Sequence, residues 1–356
     1  MRRLILKIHL VIGLIVGAFM VLLGITGSIM AFEPELDELL HRDLSYVNAI
    51  GRVLSLADIA AAVSRSYGDE PIIAFLPATS PHVPVQVNTS RGIVAVNQYT
   101  GAVLGVRTRG QTLLGFVRAL HVRLASGDIG KAILRWSVIA MLFSLISGVY
   151  LWWPGKRTRI RGPWWSKGFW YDLHNAIGIF SLVPFLVLAG TGTVLGFEDG
   201  VAFLLDKIAT PPALEAHPQA GRLQAKAHGL QLTPDQAVEI ACALVPGALP
   251  YRVQMPRYGG RYQVSLLNPG NRVLGQRNSV SIDPWSGEVL SASLETDLSV
   301  REKVLAWNEA IHTGTALGMT SRIIVAAASI LLPVQAVSGL LIWLRRRKLI
   351  ELSESE

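Results

Sequence analysis

The sequence contains very little cysteine and little charge. Its single cysteine, Cys242, excludes an intramolecular disulfide and a cysteine-based metal cluster. Charged residues make up 16% of the chain and hydrophobic residues 51%, whereas an average soluble chain carries about 25% charge. This deficit of charge indicates a membrane protein with sizeable soluble parts. Motifs for nucleophilic or acid–base catalysis are also lacking.

The net charge of +8 does not indicate a nucleic-acid partner, because the excess is concentrated at the ends of apolar runs. Twelve of the 33 Lys and Arg residues lie there, which leaves 33 − 12 = 21 against 25 Asp and Glu. The twelve are Arg2, Arg3, Lys7, Lys156, Arg157, Arg159, Arg161, Lys167, Arg345, Arg346, Arg347 and Lys348.

Long apolar runs predict four membrane-spanning helices, since about 20 apolar residues cross the hydrocarbon core. They lie at about 10–32, 132–153, 174–197 and 321–344. The first run is too long for the apolar region of a signal peptide, so we expect an uncleaved anchor. With four crossings, all the basic clusters fall on one side, which is the cytoplasm by the positive-inside rule. Both termini are then cytoplasmic, and the two long soluble segments lie outside.

The sequence indicates two copies in tandem. Residues 9–33, "HLVIGLIVGAFMVLLGITGSIMAFE", align without a gap on residues 174–198, "HNAIGIFSLVPFLVLAGTGTVLGFE". Both begin with His, share a Thr-Gly pair and end in Phe-Glu. The stretches that begin at His121 and His312 also correspond, and share a Ser-Gly pair and a Trp at equal distances. Shared Gly and Ser are common in packed apolar helices, but the shared His, Thr, Phe, Glu and Trp indicate a duplication.

The soluble segments of the two copies also match. Each begins with an N-capped amphipathic helix, at 54–71 and 232–250, and continues in alternating strand-like runs. Thr100-Gly101 and Ser286-Gly287 predict a tight turn between two strands in each copy. Amphipathic helices are predicted at about 110–124 and 299–313, before the second span of each copy. In the former, one apolar face is predicted to consist of Leu113, Phe116, Val117, Leu120 and Leu124.

These patterns carry a family resemblance. "LADIAAA…YTGAVL" and "TPDQAVE…DPWSGEVL" resemble PepSY domains, and "SGVYLWWP" and "DLHNAIG" resemble the PepSY-associated transmembrane family. The resemblance covers nearly the whole chain. It implies a protein of the bacterial inner membrane, similar to the haem-containing reductases of ferric siderophores. Related chains carry a flavin reductase domain that is not in this sequence, so the electron donor is expected to be another protein or a diffusible carrier.

The predicted fold is a membrane α-helical protein, with a four-helix bundle from two tandem repeats and two periplasmic α+β PepSY-like domains. The expected domains are spans at 1–32, 132–153, 174–197 and 321–344, PepSY-like domains at 33–109 and 198–298, interfacial helices and loops at 110–131 and 299–320, a cytoplasmic loop at 154–173 and a cytoplasmic tail at 345–356.

Four histidines recur at matched positions. His9 and His174 are predicted at the cytoplasmic edge, and His121 and His312 at the periplasmic edge. A structural zinc takes about four protein ligands, but each layer offers two. A haem iron needs only axial ligands, and His is a usual one. We therefore predict two b-type haems, one per leaflet. The alternatives are interfacial histidines without a ligand, one haem only, or a different ligand set.

Other polar residues are weaker candidates. Glu33 and Glu198 either line a substrate or iron site or simply end a helix. Cations for the haem propionates are proposed by position only, and the alternative is that they anchor the chain at the interface; they are Lys7, Arg118, Arg123, Lys131 and Arg322. Four histidines have no match in the other copy and are interpreted as ordinary periplasmic residues; they are His41, His82, His217 and His228.

Together with the predicted haem sites, the resemblance implies an oxidoreductase that carries electrons from the cytoplasmic side to the periplasm and reduces ferric siderophores there. Its expected partners are the lipid bilayer, a ferric siderophore and an unidentified cytoplasmic or membrane electron donor. Two alternatives remain. One is a membrane-anchored PepSY scaffold that binds a partner without catalysis. The other is a haem or iron transporter, which the scarcity of polar residues in the spans disfavours, since Gln335 is the one that stands out.

Overall fold

A computed structural model describes residues 1–108, 112–208, 231–256, 260–270 and 278–354. The chain divides into two compact units. Residues 1–33, 116–203 and 307–356 form the helical unit. Residues 34–115 and 204–306 form a second unit, called the sheet unit below.

The described residues form α-helices and β-strands that are numbered here in chain order. The helices are α1 (Arg2–Met30), α2 (Glu33–Leu40), α3 (Leu56–Tyr67), α4 (Leu113–Arg123), α5 (Gly127–Trp152), α6 (Lys167–Phe180), α7 (Leu182–Gly196), α8 (Glu198–Ile208), α9 (Pro234–Leu244), α10 (Val300–Thr313) and α11 (Met319–Glu354). The strands are β1 (Ile72–Leu76), β2 (Val85–Thr89), β3 (Ile93–Val96), β4 (Val103–Arg107), β5 (Leu249–Gln254), β6 (Tyr262–Leu267), β7 (Asn278–Ile282) and β8 (Val289–Ser293).

Three helices of the helical unit are long and apolar enough to cross a membrane: α1, α5 and the part of α11 up to Arg346. A fourth span exists if α6 and α7 are taken together as one bent span. Three to four such helices are typical of a multi-pass membrane protein.

The predicted third span is not one continuous helix. It breaks at Ser181, and α6 and α7 meet at an angle of 64°. Pro184 explains the break, because proline has no N–H to donate to the carbonyl of Phe180 and its ring clashes with that carbonyl in a continuous helix. The span predicted at 174–197 therefore corresponds to a bent pair of helices.

The helical unit is closely packed where small residues meet. Its buried core contains Val16, Met20, Met141, Phe185, Ala189 and Leu332. A Cβ atom added to Gly24 of α1 would lie 2.5 Å from both the Pro333 ring and the Ser329 carbonyl of α11. The backbones of α1 and α11 therefore approach more closely here than any side chain allows, as small residues permit in membrane helices.

The turn between α4 and α5 also depends on a glycine. A Cβ atom at Gly130 would lie 1.8 Å from the carbonyl oxygen of Arg123, which no other residue can tolerate. Leu124 and Ala125 in the same turn have positive φ angles of 49° and 52°, in the left-handed region. This strained turn determines where α4 ends relative to α5.

In the sheet unit, all eight strands described form one antiparallel sheet in the order β4-β3-β2-β1-β5-β6-β7-β8. The two segments join where β1 pairs with β5, with Phe75 opposite Val253. Strands β1 and β5 are central, and on each side of them the remaining strands of the same segment follow outward in chain order. The sequence predicted two separate domains, whereas the two segments share one sheet. Pairing β1 with β5 satisfies backbone groups that two isolated sheets would leave at their edges.

The same unit shares one hydrophobic core beneath α3 and α9. Buried residues from both segments contribute to it, including Ile59, Phe75, Val253 and Tyr262. The carboxylate of Asp235 in α9 accepts hydrogen bonds from the backbone N–H groups of the first two residues of α3, at 2.8 and 3.0 Å. The two segments therefore share a core, and Asp235 of the second segment caps a helix of the first.

Several local predictions are confirmed. Helix α3 is capped by Ser55, and α9 begins with a capping box of Thr233 and Gln236. The two predicted turns form between β3 and β4 and between β7 and β8, where Gly101 and Gly287 have φ angles of 71° and 72°. These angles suit glycine.

Helices α4 and α10 lie where amphipathic helices were predicted, but α4 also buries Leu114, which is outside the apolar face predicted for it. Leu113 and Phe116 are exposed, whereas Leu114 and Val117 are buried. Leu124 lies beyond the end of the helix, in the turn with positive φ angles.

Candidate functional site

The four repeated histidines form two facing pairs within the helical unit. The rings of His9 in α1 and His174 in α6 have centroids 6.4 Å apart, at an angle of 83°. The rings of His121 in α4 and His312 in α10 have centroids 6.5 Å apart, at an angle of 53°. These are called the His9 pair and the His121 pair below. The fold therefore brings together the partners that the sequence predicted.

Within the His9 pair, each ring is held by a serine on a neighbouring helix. The Nδ1 atom of His9 lies 2.9 Å from the Ser147 hydroxyl of α5. The Nδ1 atom of His174 lies 3.0 Å from the Ser338 hydroxyl of α11 and 3.1 Å from the carbonyl oxygen of Gln335. The serines thus orient the two rings from different helices.

Within the His121 pair, threonines take the same role. The Nδ1 atom of His121 lies 2.8 Å from the Thr26 hydroxyl of α1, and Nδ1 of His312 lies 2.8 Å from the Thr191 hydroxyl of α7. Each threonine hydroxyl also donates to a carbonyl of its own helix, at 2.7 Å for Thr26 and 2.6 Å for Thr191. The hydroxyl oxygen is then free to accept a hydrogen bond from Nδ1–H, which leaves Nε2 with its lone pair.

A glycine follows each of these four hydroxyl residues, and each glycine contacts the same histidine. An added Cβ atom would lie between 3.1 and 3.4 Å from the Cε1 atom of the ring in every case. The glycines, listed with the histidine that each one meets, are Gly148 with His9, Gly339 with His174, Gly27 with His121 and Gly192 with His312. A hydroxyl residue followed by glycine therefore fixes the ring by a hydrogen bond and leaves space for it against the helix.

The His9 pair borders a small cavity that is lined by further polar side chains. Ser144, Gly178 and Gln335 line it together with the two histidines. The hydroxyl oxygen of Ser144 and the amide oxygen of Gln335 are buried and have no hydrogen-bond partner. The amide nitrogen of Gln335 lies 3.2 Å from Nε2 of His174. Polar atoms buried without a partner are uncommon in folded proteins, and those in this cavity indicate room for a ligand.

Among the residues that the structure describes, no group of three or more His, Cys, Asp or Glu side chains is placed to hold a metal ion. The two histidine pairs therefore provide two nitrogen donors each.

The predicted cations are in different situations. Arg118 forms an ion pair with Glu33, so this carboxylate has a partner of its own. The Nε atom of Arg322 donates to the carbonyl oxygen of Ala31 at 2.7 Å, and its guanidinium lies over the ring of Phe32. Lys7 and Arg123 are exposed, Lys131 is half-buried, and Glu198 is an exposed residue at the start of α8.

Arg135 was missed by sequence reasoning. Its guanidinium lies 4.7 Å from the ring centroid of Phe197, and its Nε atom is buried without a hydrogen-bond partner. It packs on Gly196, one helical turn beyond the glycine that contacts His312. Phe32 and Phe197 occupy matched positions in the gapless alignment of residues 9–33 on 174–198, and each has an arginine over its ring. The phenylalanine shared by the two aligned stretches was the sequence signal that could have indicated Arg135.

The unmatched histidines lie elsewhere. His41 bonds to Asp37 at 3.1 Å, and His82 stacks on Tyr46 with ring centroids 5.3 Å apart, both within the sheet unit. His217 and His228 lie outside the described residues.

Two details of the site differ from the prediction. His9 and His174 do not begin helices, because α1 starts at Arg2 and α6 at Lys167. The residues of the Thr-Gly and Ser-Gly matches hold the rings, whereas the shared Gly and Ser were attributed to helix packing and the shared Thr was taken only as a sign of duplication. Their repeated spacing from the histidines was visible in the sequence, but their pairing across helices was not.

Comparison with known proteins gives one family match. A family model described as "PepSY-associated TM region" matches residues 6–346. The match includes both histidine pairs and the whole of the described sheet. A search of curated proteins finds no match to the chain.

Proposed function

The chain belongs to the family of PepSY-associated TM regions, and on that premise we propose that it is a haem protein of the bacterial inner membrane that carries electrons outward to ferric siderophores. The single observation that carries the proposal is the arrangement of the four histidines. Each is oriented through Nδ1 by a hydroxyl that precedes a glycine, and the four rings face each other in two pairs.

The geometry of each pair suits an iron porphyrin. Metal–imidazole bonds are about 2 Å long, so two axial imidazoles on one iron place their ring centres about 6 Å apart. The observed separations of 6.4 and 6.5 Å agree with this value. A porphyrin supplies the remaining four nitrogen donors, and bundle cores commonly hold such cofactors between facing helices. Nε2 of each histidine would therefore hold the iron of a b-type haem.

The hydroxyl residues support this assignment. Metal-binding histidines usually donate their second N–H to a protein group, which fixes the tautomer and the orientation of the ring. Thr26, Ser147, Thr191 and Ser338 take that position here.

The two sites would lie on opposite sides of the membrane. His9 and Thr26 are both in α1 and are 17 residues apart, which corresponds to about 25 Å along a helix axis. Since Thr26 bonds to His121, the two pairs are separated by a distance close to the thickness of the hydrocarbon core. If α6 and α7 form one bent span, the chain crosses four times, and the basic clusters place both termini in the cytoplasm.

Haem supplies one-electron redox chemistry when it is bound. The protein contributes the ligands, the apolar surroundings and the separation of the two sites. The group held by the His9 pair would take an electron from an unidentified cytoplasmic or membrane donor, and the group held by the His121 pair would give it to the chelate. Each electron converts one Fe(III) in a chelate to Fe(II), which a siderophore releases more readily. The symmetric strand order also agrees with the duplication that we infer from the sequence.

The proposal is tested by reoxidation. Purified protein is reduced with dithionite, freed from excess reductant and mixed anaerobically with a ferric hydroxamate siderophore and ferrozine. We expect the haem spectrum to become oxidised while Fe(II) appears. His121→Ala or His312→Ala should abolish this, whereas His82→Ala, a matched change in the sheet unit, should not. Wild-type protein that binds haem but stays reduced with every chelate would exclude the reductase and favour a scaffold or transporter.

A further inference from the structure

Gln335 distinguishes one of the four histidines from the other three. Its backbone carbonyl accepts from Nδ1–H of His174 at 3.1 Å, and its side-chain nitrogen lies 3.2 Å from Nε2 of the same ring. An amide nitrogen can only donate, and Nδ1 faces two acceptors, so Nε2 carries the lone pair that the amide contacts. This is the lone pair that a metal needs.

The other three rings are not blocked in this way. In the described part of the chain, His9, His121 and His312 each have a hydroxyl at Nδ1 and no hydrogen-bond partner at Nε2. The residue that corresponds to Gln335 in the first copy is Ser144, at the same distance from its preceding histidine. Its hydroxyl lines the same cavity but bonds to no partner. The two copies therefore differ at this position.

The surroundings of Gln335 favour a movement of its amide away from His174. A Cβ atom at Gly178, one turn after His174 in α6, would lie 3.1 Å from the amide nitrogen. The absence of a side chain there makes room for the amide. Its oxygen is buried without a partner, which is unfavourable for an amide. Moving the amide away from His174 therefore breaks one hydrogen bond and gives the oxygen a chance to find another.

We propose that Gln335 occupies the metal-binding nitrogen of His174 until haem displaces it, so that the His9 pair binds its haem later and more weakly than the His121 pair. This inference rests on the proposed function, since it concerns the haem site assigned there. A typical hydrogen bond between neutral groups changes an equilibrium by about fivefold. Gln335 should therefore weaken haem binding at the His9 pair by about this factor.

The first test is haem titration of haem-free protein. Gln335→Met keeps the length of the side chain and removes the donor. We expect it to strengthen binding in the phase that His174→Ala removes, by about fivefold, and to leave the other phase unchanged. Thr193→Val is the control, because the Thr193 hydroxyl donates to a carbonyl of its own helix, and it should change neither phase. Unchanged or weaker binding of that phase in Gln335→Met would overturn the proposal.

The second test needs no haem. In haem-free protein labelled with ¹⁵N-histidine, the Nε2 resonance of His174, identified by its loss in His174→Ala, should shift downfield in Gln335→Met as its hydrogen bond is lost. An unchanged resonance would overturn the role of Gln335 whatever the protein binds. If the resonance shifts as expected but no haem binds to any variant, the proposed haem function fails and the blocking contact stands alone. The two failures are thus distinguishable.

Discussion

The Nδ1 atom of His121 in α4 lies 2.8 Å from the hydroxyl of Thr26 in α1. This one hydrogen bond links a helix outside the candidate spans to a membrane-spanning helix, and the same bond recurs between His312 and Thr191. It orients each ring so that Nε2 is left for another ligand. The threonines should therefore matter for ligand binding although they do not touch the ligand.

Removal of either threonine hydroxyl is expected to weaken haem binding at the His121 pair. Thr26→Val and Thr191→Val keep the shape of the side chain but leave Nδ1 without a partner, and loss of such a partner typically lowers metal affinity about 10- to 100-fold. Thr193→Val is the matched control, because the Thr193 hydroxyl bonds to a carbonyl of its own helix. Haem titration followed by the Soret band measures the effect. Equal behaviour of all three variants would contradict the role assigned to the hydroxyls.

Two glycines of α7 should respond differently to alanine. At Gly192 an added Cβ atom lies 3.2 Å from Cε1 of His312, whereas at Gly190 it meets nothing within 4 Å. Gly192→Ala is therefore expected to tilt the ring and to reduce haem retention at the His121 pair. Gly190→Ala should retain haem and stabilise the helix by about 0.5–1 kcal/mol. Haem content after purification and thermal unfolding distinguish them, and normal haem content in Gly192→Ala would show that the contact is unimportant.

Arg135 is expected to bind a haem propionate. Its buried Nε atom lacks a partner, and it packs one turn away from the level of His312. Arg135→Gln should lower haem affinity by about tenfold or more, the effect of losing one charge-assisted hydrogen bond. The comparison ligand is haem dimethyl ester, which has no carboxylates and should bind both proteins equally. If the variant weakens the ester as much as haem, the effect of Arg135 does not involve the propionate.

In the sheet unit, Asp235 is expected to stabilise the contact between the two segments. Its carboxylate binds the N–H groups of Leu56 and Ala57 at the start of α3, which no residue of that helix satisfies. Asp235→Ala should cost about 1–2 kcal/mol, as for the loss of a helix cap. Thermal unfolding measures the loss, with the exposed Asp69→Ala as control. A variant as stable as the control would show that this cap contributes little.

Much of the architecture could be predicted from the sequence. Apolar runs and basic clusters indicated the spans, and the gapless match of two stretches that begin with His indicated which histidines correspond. Capping residues and the two turn glycines gave the local structure of the soluble segments correctly. These features are encoded by residues close together in the chain.

The rest depended on contacts between distant residues. The pairing of β1 with β5 merges the two soluble segments, and no local pattern distinguishes an edge strand from a central one here. In α4, Leu114 is buried although it lies outside the predicted apolar face, because tertiary packing decides which neighbouring apolar residue faces the protein. The break at Ser181 had a signal in Pro184, but a proline inside an apolar run is often tolerated in membrane helices.

The same limit applied to the site. Thr26 and Ser147 were visible as repeated residues, but the histidines that they bond belong to other helices. The contact between Gln335 and His174 joins α11 to α6 and has no counterpart in the first copy. Sequence spacing indicates which residues recur, whereas the fold decides which of them meet.

The measurement that tests the central claim most directly is the number of haems per chain, obtained by the pyridine haemochrome assay on purified wild-type protein and histidine variants. We predict two haems per wild-type chain and one in each of His9→Ala, His174→Ala, His121→Ala and His312→Ala. The double variant His9→Ala/His174→Ala should also retain one, because both residues hold the same haem. A colourless wild-type protein, or a double variant within one pair that loses all haem, would contradict the assignment of two independent sites.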